Sequence, residues 1–385
     1  REEFLADVEA SVDHLSSIEP YERYISFLNI WALFLPSADS GADHLEAEPP
    51  SEVDTALGCH YGAYGIARLI DCDADLVLTA SAHAPGEDVR IVLVGDDTYG
   101  GSGGAQFAVA STGPDMPEIV AHEMAHSDGG LADEYSYGIE SQGWDYEFPN
   151  CSADPSSTPW EHWIDAGSLG VDRFPECSYT DYYRPTDEAC RMMQLGVPFC
   201  VVCRESLVRT IYHHDPKLIT FSPQPETGLS LGPEESLRLE IEHLEVSGDP
   251  LWFSWSRVVP PSEDSSEDEM PELELLDAGP GMSTINLAWE ALPVGDQEIL
   301  VRVEDRTAWV LTDHPPAMSD EARFLVSIAQ GPPSGDDDDS NGGSDGGCSC
   351  TQADPRPRPG SEGLALFGLA LLLTRRGCRA ATGRP

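Results

Sequence analysis

Residues 115–135 read DMPEIVAHEMAHSDGGLADEY, and this stretch decides how the chain is read. Asp115 followed by Glu118 matches a capping box, and Pro117 is tolerated in a first turn, so a helix is predicted to begin near Asp115. Gly129 and Gly130 are expected to end it, because glycine accepts the backbone conformation that closes a helix. On such a helix His122 and His126 stand at i and i+4, on one face with Cβ atoms about 5–6 Å apart. Both imidazoles can then reach a single Zn²⁺ at about 2.0–2.1 Å. The pattern H-E-x-x-H is therefore a chelate written into one turn of helix.

Glu123 follows the first of these histidines and is the candidate general base for a water at the metal. Zinc lowers the pKa of its water to about 7, within reach of a carboxylate base. A catalytic zinc takes three protein ligands and keeps one position open, so a third ligand is needed beyond the glycine pair. Asp133 and Glu134 are both candidates. Asp133 is favoured, since a shorter side chain close behind a tight turn reaches back with less entropy lost. The plainer role for either carboxylate is to orient the histidine N–H groups.

Composition narrows what such a centre serves. The chain has 385 residues, 21 Lys plus Arg against 69 Asp plus Glu, and a net charge of −48. A surface so acidic is repelled by nucleic-acid phosphates, and basic residues are not clustered, so nucleic acid is set aside as a partner. Ten cysteines are spread mostly singly, which fits disulfides in an oxidising compartment better than a zinc ribbon. Cys200 and Cys203 form the one C-x-x-C and are read as disulfide ends near a helix start. Seven cysteines precede residue 204, so at least one is free or paired elsewhere.

Working outward, residues 1–215 read as an α/β domain. REEFLADVEASVDHLSSI opens it with Phe4, Leu5, Val8, Val12 and Leu15 at helical spacing. ARLIDCDADLVLTASAH (67–83) and DVRIVLVGD (88–96) read as a helix end and two strands, and AQFAVAST (105–112) as a further strand. YGGSGG (99–104) lacks the Gly-Lys-Ser/Thr of a phosphate loop and is read as a sharp turn into an edge strand. His60 and His162 have no partner at ligand spacing, and His213 and His214 are read as surface residues.

Residues 216–330 change to short segments of period two, LRLEIEHLEV, PLWFSWSRVV, STINLAWEAL, EILVRVEDRT and ARFLVSI, which predict an all-β sandwich. SEDSSEDEM (262–270) is read as a solvated loop, lacking the glycine and ligand spacing of an EF-hand. Residues 331–360 form an acidic, Gly- and Pro-rich linker with a GCSC motif, expected to be disordered. Residues 361–385 carry the apolar run Gly363 to Leu373 followed by arginines. Eleven residues as a helix span about 16 Å, short of the roughly 30 Å of a bilayer core.

Taken with HEMAHSDGGLADEY, the segments ADHLEAEPPSEVDTALGCHYGAYGIARL (42–69), VLVGDDTYGGSGGAQFAVAS (92–111) and YRPTDEACRMMQLGVPFCVVC (183–203) resemble the IgA-peptidase family of zinc metallopeptidases. The resemblance covers roughly residues 1–215. It implies a metzincin-like fold, hydrolysis of peptide bonds in a protein or peptide substrate, Zn²⁺ as cofactor, and bacterial export. One departure stands out: where metzincins place a third histidine, six residues after the second, this chain has Ala132. The family also carries a strand ahead of the opening helix, so the N-terminus of the domain is expected to be incomplete here. By the same resemblance Met192 lies beneath the metal as in a Met-turn, with Met193 its close rival. Tyr135 and Tyr183 are candidate oxyanion donors, against the plainer reading of packed tyrosines.

The tail, with its Cys motif, short apolar run and arginines, resembles the C-terminal sorting tags of myxobacterial exported proteins, which implies processing and attachment to the cell surface or release. The expectation is thus a secreted or surface-attached zinc endopeptidase. Its alternative is a catalytically silent, peptidase-like protein for adhesion or carbohydrate binding. Oligomeric state and cleavage preference are not encoded in any motif.

Overall fold

The computed structural model describes residues 1–86, 88–143, 146–214, 216–222, 228–261, 270–311, 317–331 and, as a strand only, 367–375. The acidic run at 262–269, the linker at 334–347, the GCSC motif and Cys378 lie outside the described residues.

The first half comprises α1 (Glu2–Leu15), α2 (Tyr21–Tyr24), β1 (Leu28–Pro36), β2 (His60–Tyr61), β3 (Ile70–Asp71), α3 (Ala74–Ser81), β4 (Val89–Val94), β5 (Gly101–Gly103), β6 (Ala108–Ser111), α4 (Met116–Ser127), α5 (Glu161–Asp165), β7 (Phe174–Cys177), β8 (Tyr179–Arg184) and α6 (Val201–His213). Helix α1 buries Phe4, Val8 and Leu15 at the expected spacing and leaves Leu5 in solvent. Its first-turn Glu2 and Glu3 and last-turn His14 suit the helix dipole. Residues 67–83, read as a helix end followed by strand, instead hold the short strand β3 followed by the helix α3. Asp73 caps that helix by accepting the Leu76 N–H at 3.1 Å, and a local cap outweighs the strand propensity of a short apolar run. Strand β1, in LNIWALFLP, was not anticipated.

The second half comprises β9 (Ile219–Phe221), β10 (Leu229–Leu231), β11 (Ser236–Glu240), β12 (Glu242–His243), β13 (Trp252–Val259), β14 (Glu272–Pro280), β15 (Thr284–Ala288), β16 (Gly295–Glu304) and β17 (Ser319–Ile328). A five-stranded sheet in the order β10-β17-β16-β13-β14 shares one core with the antiparallel pair β11-β15. Phe253 and Trp255 of β13, Val301 and Val303 of β16 and Phe324 of β17 meet Leu239, Ile285 and Leu287 there. Strand β14 went unread because its residues, ELELLDAGP, are mostly exposed at the sheet edge; charge at an edge also discourages pairing with other chains.

The main sheet of the first half runs β1-β18-β4-β6-β5, where β18 is Phe367–Arg375. The apolar run assigned above to the tail thus supplies a parallel strand between β1 and β4, with Leu28 opposite Phe367 and Leu369 opposite Val89. Among the described residues no helix is long and apolar enough to cross a membrane.

The two halves are joined by a shared core and a buried ion pair. Tyr24, Phe27, Val208, Ile211 and Tyr212 pack among the sandwich residues. Asp305, at the end of β16, accepts from Arg23 at 3.0 Å and from the phenols of Tyr24 at 2.6 Å and Tyr212 at 2.8 Å. These partners fill the carboxylate's lone pairs, as a buried charge requires.

Candidate active site

Helix α4 crosses the sheet with Ile119, Val120, Ala121, Met124 and Ala125 in the core. Its start departs from the capping box. Asp115 makes no side-chain cap, and the Glu118 carboxylate is drawn instead to the Arg191 guanidinium and, at 2.9 Å, to the Gly196 N–H. A charge-assisted bond to arginine is stronger than a return bond to a backbone amide. At the other end Gly130 has φ +60°, and a Cβ on Gly129 would lie 2.6 Å from Leu207 and 2.9 Å from the Ala125 carbonyl, so the glycine pair ends the helix as expected.

His122 and His126 face each other with ring centroids 4.9 Å apart. The chain returns after the glycines to bring Asp133 Oδ1 within 3.0 Å of His122 Nε2 and 3.3 Å of His126 Nε2. Ligand atoms sharing one tetrahedral zinc at about 2.05 Å lie about 3.3 Å apart, so this spacing is that of a ligand set. Each ring is turned by its other nitrogen: His122 Nδ1 lies 3.0 Å from the Arg191 carbonyl, and His126 Nδ1 lies 2.6 Å from that of Leu131. An N–H on Nδ1 leaves Nε2 as the free lone pair, the tautomer a metal needs. Tyr137 donates to Asp133 Oδ2 at 2.6 Å and fixes the carboxylate. Tyr137 was not singled out in the sequence; its only signal is its place four residues after Asp133.

Electrostatics follow from burial. The Asp133 carboxyl is held well below the usual range: burial opposes this, but His126 and His122 outweigh it. Glu123 is raised, first by burial and also by Asp133, against the pull of the histidines and Arg68. His126 is pushed up to about 9, the two carboxylates overcoming burial.

Glutamate 134 does not join this cluster. Its carboxylate points the other way, accepting from Asn150 at 3.2 Å and from Thr186 at 3.3 Å, next to Cys203. Met192 is fully buried in the core with Met124, and its carbonyl accepts from the Glu134 N–H at 2.8 Å. Met193 instead lines a small cavity with His122 and Glu123.

A cleft of about 540 Å³ opens over Glu123, His126 and Asp133. Its phenols come from Tyr64, Tyr135, Tyr137 and Tyr179; Tyr183 is absent from its wall and pairs through its backbone with Ser152. Tyr135 accepts from Arg68 Nη2 at 2.8 Å, and burial with the nearby Asp133 keeps its hydroxyl protonated far above the ordinary phenol range. A larger cleft of about 680 Å³, lined by Tyr146, Pro149, His162 and Arg209, includes none of the four cluster residues. His162 there finds a partner no local spacing could reveal, Glu205 at 2.6 Å.

The edge of the sheet beside the cleft is β5, not the strand at 105–112, whose ordered part β6 is interior between β4 and β5. The glycine run is itself the edge strand. A Cβ on Gly103 would meet His126 Cβ at 2.5 Å, and one on Gly101 would meet Ile119 at 2.5 Å. Only glycine lets this backbone lie against α4.

Two histidines and a carboxylate around a buried glutamate define a candidate metallohydrolase centre. Residues 1–171 match the family model described as IgA Peptidase M64, so over that stretch, which includes α4 and Asp133, the chain is similar to a family of metallopeptidases. No curated protein matches the chain. Met192 and the C-x-x-C lie beyond the matched residues.

Proposed function

We propose that the protein is an exported, metzincin-like zinc endopeptidase. The single observation that carries this reading is the placement of Asp133 Oδ1 at 3.0 and 3.3 Å from the Nε2 atoms of two histidines whose Nδ1 atoms face backbone carbonyls. In it, His122, His126 and Asp133 hold Zn²⁺. The ion supplies a Lewis acid and a water whose pKa falls to about 7.

Glu123, on the cleft wall beside His126 and Asp133, takes the proton of the attacking water and passes it to the leaving amine. Tyr135, kept neutral and placed on the cleft wall, donates to the developing oxyanion, a role the sequence shared between it and Tyr183. An extended substrate pairs with the free edge of β5, and backbone pairing tolerates many side chains. The alternative, a catalytically silent, peptidase-like protein for adhesion or carbohydrate binding, is separated from this reading by the digestion experiment below.

Export is supported by the disulfides Cys59–Cys72 and Cys151–Cys177, which persist in oxidising surroundings. The tail is proposed as the attachment signal. Loss of surface localisation with peptidase activity intact, on removing residues 361–385, would support that role; loss of fold and activity together would assign the segment to the sheet alone.

The deciding experiment is digestion of a mixed peptide library by zinc-loaded protein, with chelator and Glu123→Ala controls. Cleavage lost in both controls is expected. Cleavage that persists in either, or no cleavage by the loaded protein, overturns the reading.

A further inference from the structure

Cys200 and Cys203, behind the candidate active site, were read from sequence as disulfide ends, and the structure corrects this. Cys190, Cys200 and Cys203 are buried free thiols. Cys190 and Cys203 stand 3.6 Å apart at sulfur, well beyond the roughly 2.05 Å of a disulfide. The fourth member of the group is Glu134, with no exposed surface. Its Oε1 lies 3.1 Å from Cys203 Sγ and 4.0 Å from Cys200 Sγ, and all four ligand atoms fall within 4.8 Å of one another.

We propose that Glu134, Cys190, Cys200 and Cys203 bind a second zinc ion in a closed, four-ligand structural site, separate from the His122–His126–Asp133 centre.

The spacing agrees with this assignment. Sulfurs sharing a tetrahedral zinc at about 2.3 Å lie about 3.8 Å apart, and a sulfur and a carboxylate oxygen about 3.5 Å apart. The surroundings are those of thiolates and not of a disulfide. The Cys200 N–H points at Cys190 Sγ at 3.4 Å and the Cys203 N–H at Cys200 Sγ at 3.5 Å. Backbone donors of this kind, here at the start of α6, stabilise negative sulfur.

Charge balance also favours a cation. The hydrogen-bond partners of Glu134 among the described residues are Asn150, Thr186 and the cysteines, none of them cationic. A buried carboxylate is costly without a compensating charge. A disulfide between any two of the sulfurs would leave that carboxylate and an odd thiol together in the core. Thiolate-rich sets select soft or borderline ions, and four protein ligands leave no open position for chemistry.

The site has a consequence for the active centre. Glu134 follows Asp133 directly, and its N–H is tied to the Met192 carbonyl. A metal there clamps the 133–134 peptide to the Cys190–Met192 segment and to the first turn of α6, so Asp133 is presented to the histidines by a fixed backbone.

The test uses the full chain exported into an oxidising compartment with zinc present. Metal content is measured for the wild type and for a His122→Ala, His126→Ala double variant, which removes the first centre. Two zinc ions per chain are expected in the former and one in the latter. Cobalt loaded into the double variant should show near-ultraviolet thiolate-to-metal charge transfer, which no histidine and carboxylate set can produce, and Cys203→Ser should abolish it. A double variant that binds no metal, or peptide mapping without reduction that finds two of the three cysteines joined, overturns the proposal. Should Cys203→Ser fail to fold, the cobalt spectrum and the peptide map of the double variant decide alone.

Discussion

Tyr137 donates its hydroxyl to Asp133 Oδ2 at 2.6 Å, while the other oxygen of the same carboxylate faces both histidines. In the proposed centre the phenol lies outside the ligand set and holds Asp133 in the orientation that faces the histidines. Tyr137→Phe is expected to weaken zinc binding by about 10- to 100-fold with the fold intact. Competition with a chelator of known affinity measures this, and an unchanged affinity would remove Tyr137 from the account.

In the proposed centre Glu123 acts as the base and not as a ligand, although its carboxylate comes within 4.8 Å of both histidines. Glu123→Ala is therefore expected to keep its zinc and lose peptidase activity by several orders of magnitude. Metal content and cleavage rate on the same sample separate the two effects. Residual turnover near the wild-type rate would mean another group takes the proton.

Gly103 is where the edge strand β5, the proposed substrate-binding edge, touches α4. A methyl there would sit 2.5 Å from His126 Cβ and 2.7 Å from the Glu123 carbonyl, both parts of a packed helix that cannot yield. Gly103→Ala should push β5 away and cost roughly tenfold or more in kcat/KM, a barrier rise of about 1.4 kcal/mol. Gly130→Ala, where φ is +60° and no atom lies within 4 Å, should cost stability instead of turnover.

In the metal-free protein His126 carries a pKa raised from 6.5 to about 9, because Asp133 and Glu123 outweigh the cost of burial. A group whose folded pKa exceeds its unfolded one stabilises the fold fully below the unfolded value and ceases to do so above the folded one. The Tm of chelator-treated protein is expected to fall as pH rises from 6.5 to about 9. Zinc must displace that proton, so zinc titration at pH 7 in weak buffer should release acid. Constant Tm over the interval would place the proton elsewhere.

Asp305 binds the halves of the molecule together through Arg23, Tyr24 and Tyr212. Asp305→Ala strands a buried guanidinium and should cost about 3–5 kcal/mol, as breaking a buried pair does. Denaturant unfolding followed by tryptophan fluorescence would register it. A change within about 0.5 kcal/mol would class the pair with surface substitutions that touch no buried network.

The helix bearing His122 and His126, its glycine stop and the period-two strands of the second half were legible because each is a local pattern. The Asp115–Glu118 capping box was legible and did not form, since Arg191, distant in sequence, offers Glu118 a stronger partner. Strand β14 and α3 were missed for related reasons: an exposed edge strand shows little alternation, and a short apolar run is ambiguous until its cap is seen.

The sequence by itself determined that two imidazoles share one helical face with a glutamate beside them, because helical periodicity turns a spacing of four into adjacency. Tertiary structure decided the rest. It turned Asp133 toward the histidines and Glu134 toward the cysteines, although the two are neighbours in the chain. It made an edge strand of the glycine run and gathered Cys190 with Cys200 and Cys203. Each of these depends on where segments far apart in sequence meet, and nothing in a local pattern fixes that meeting.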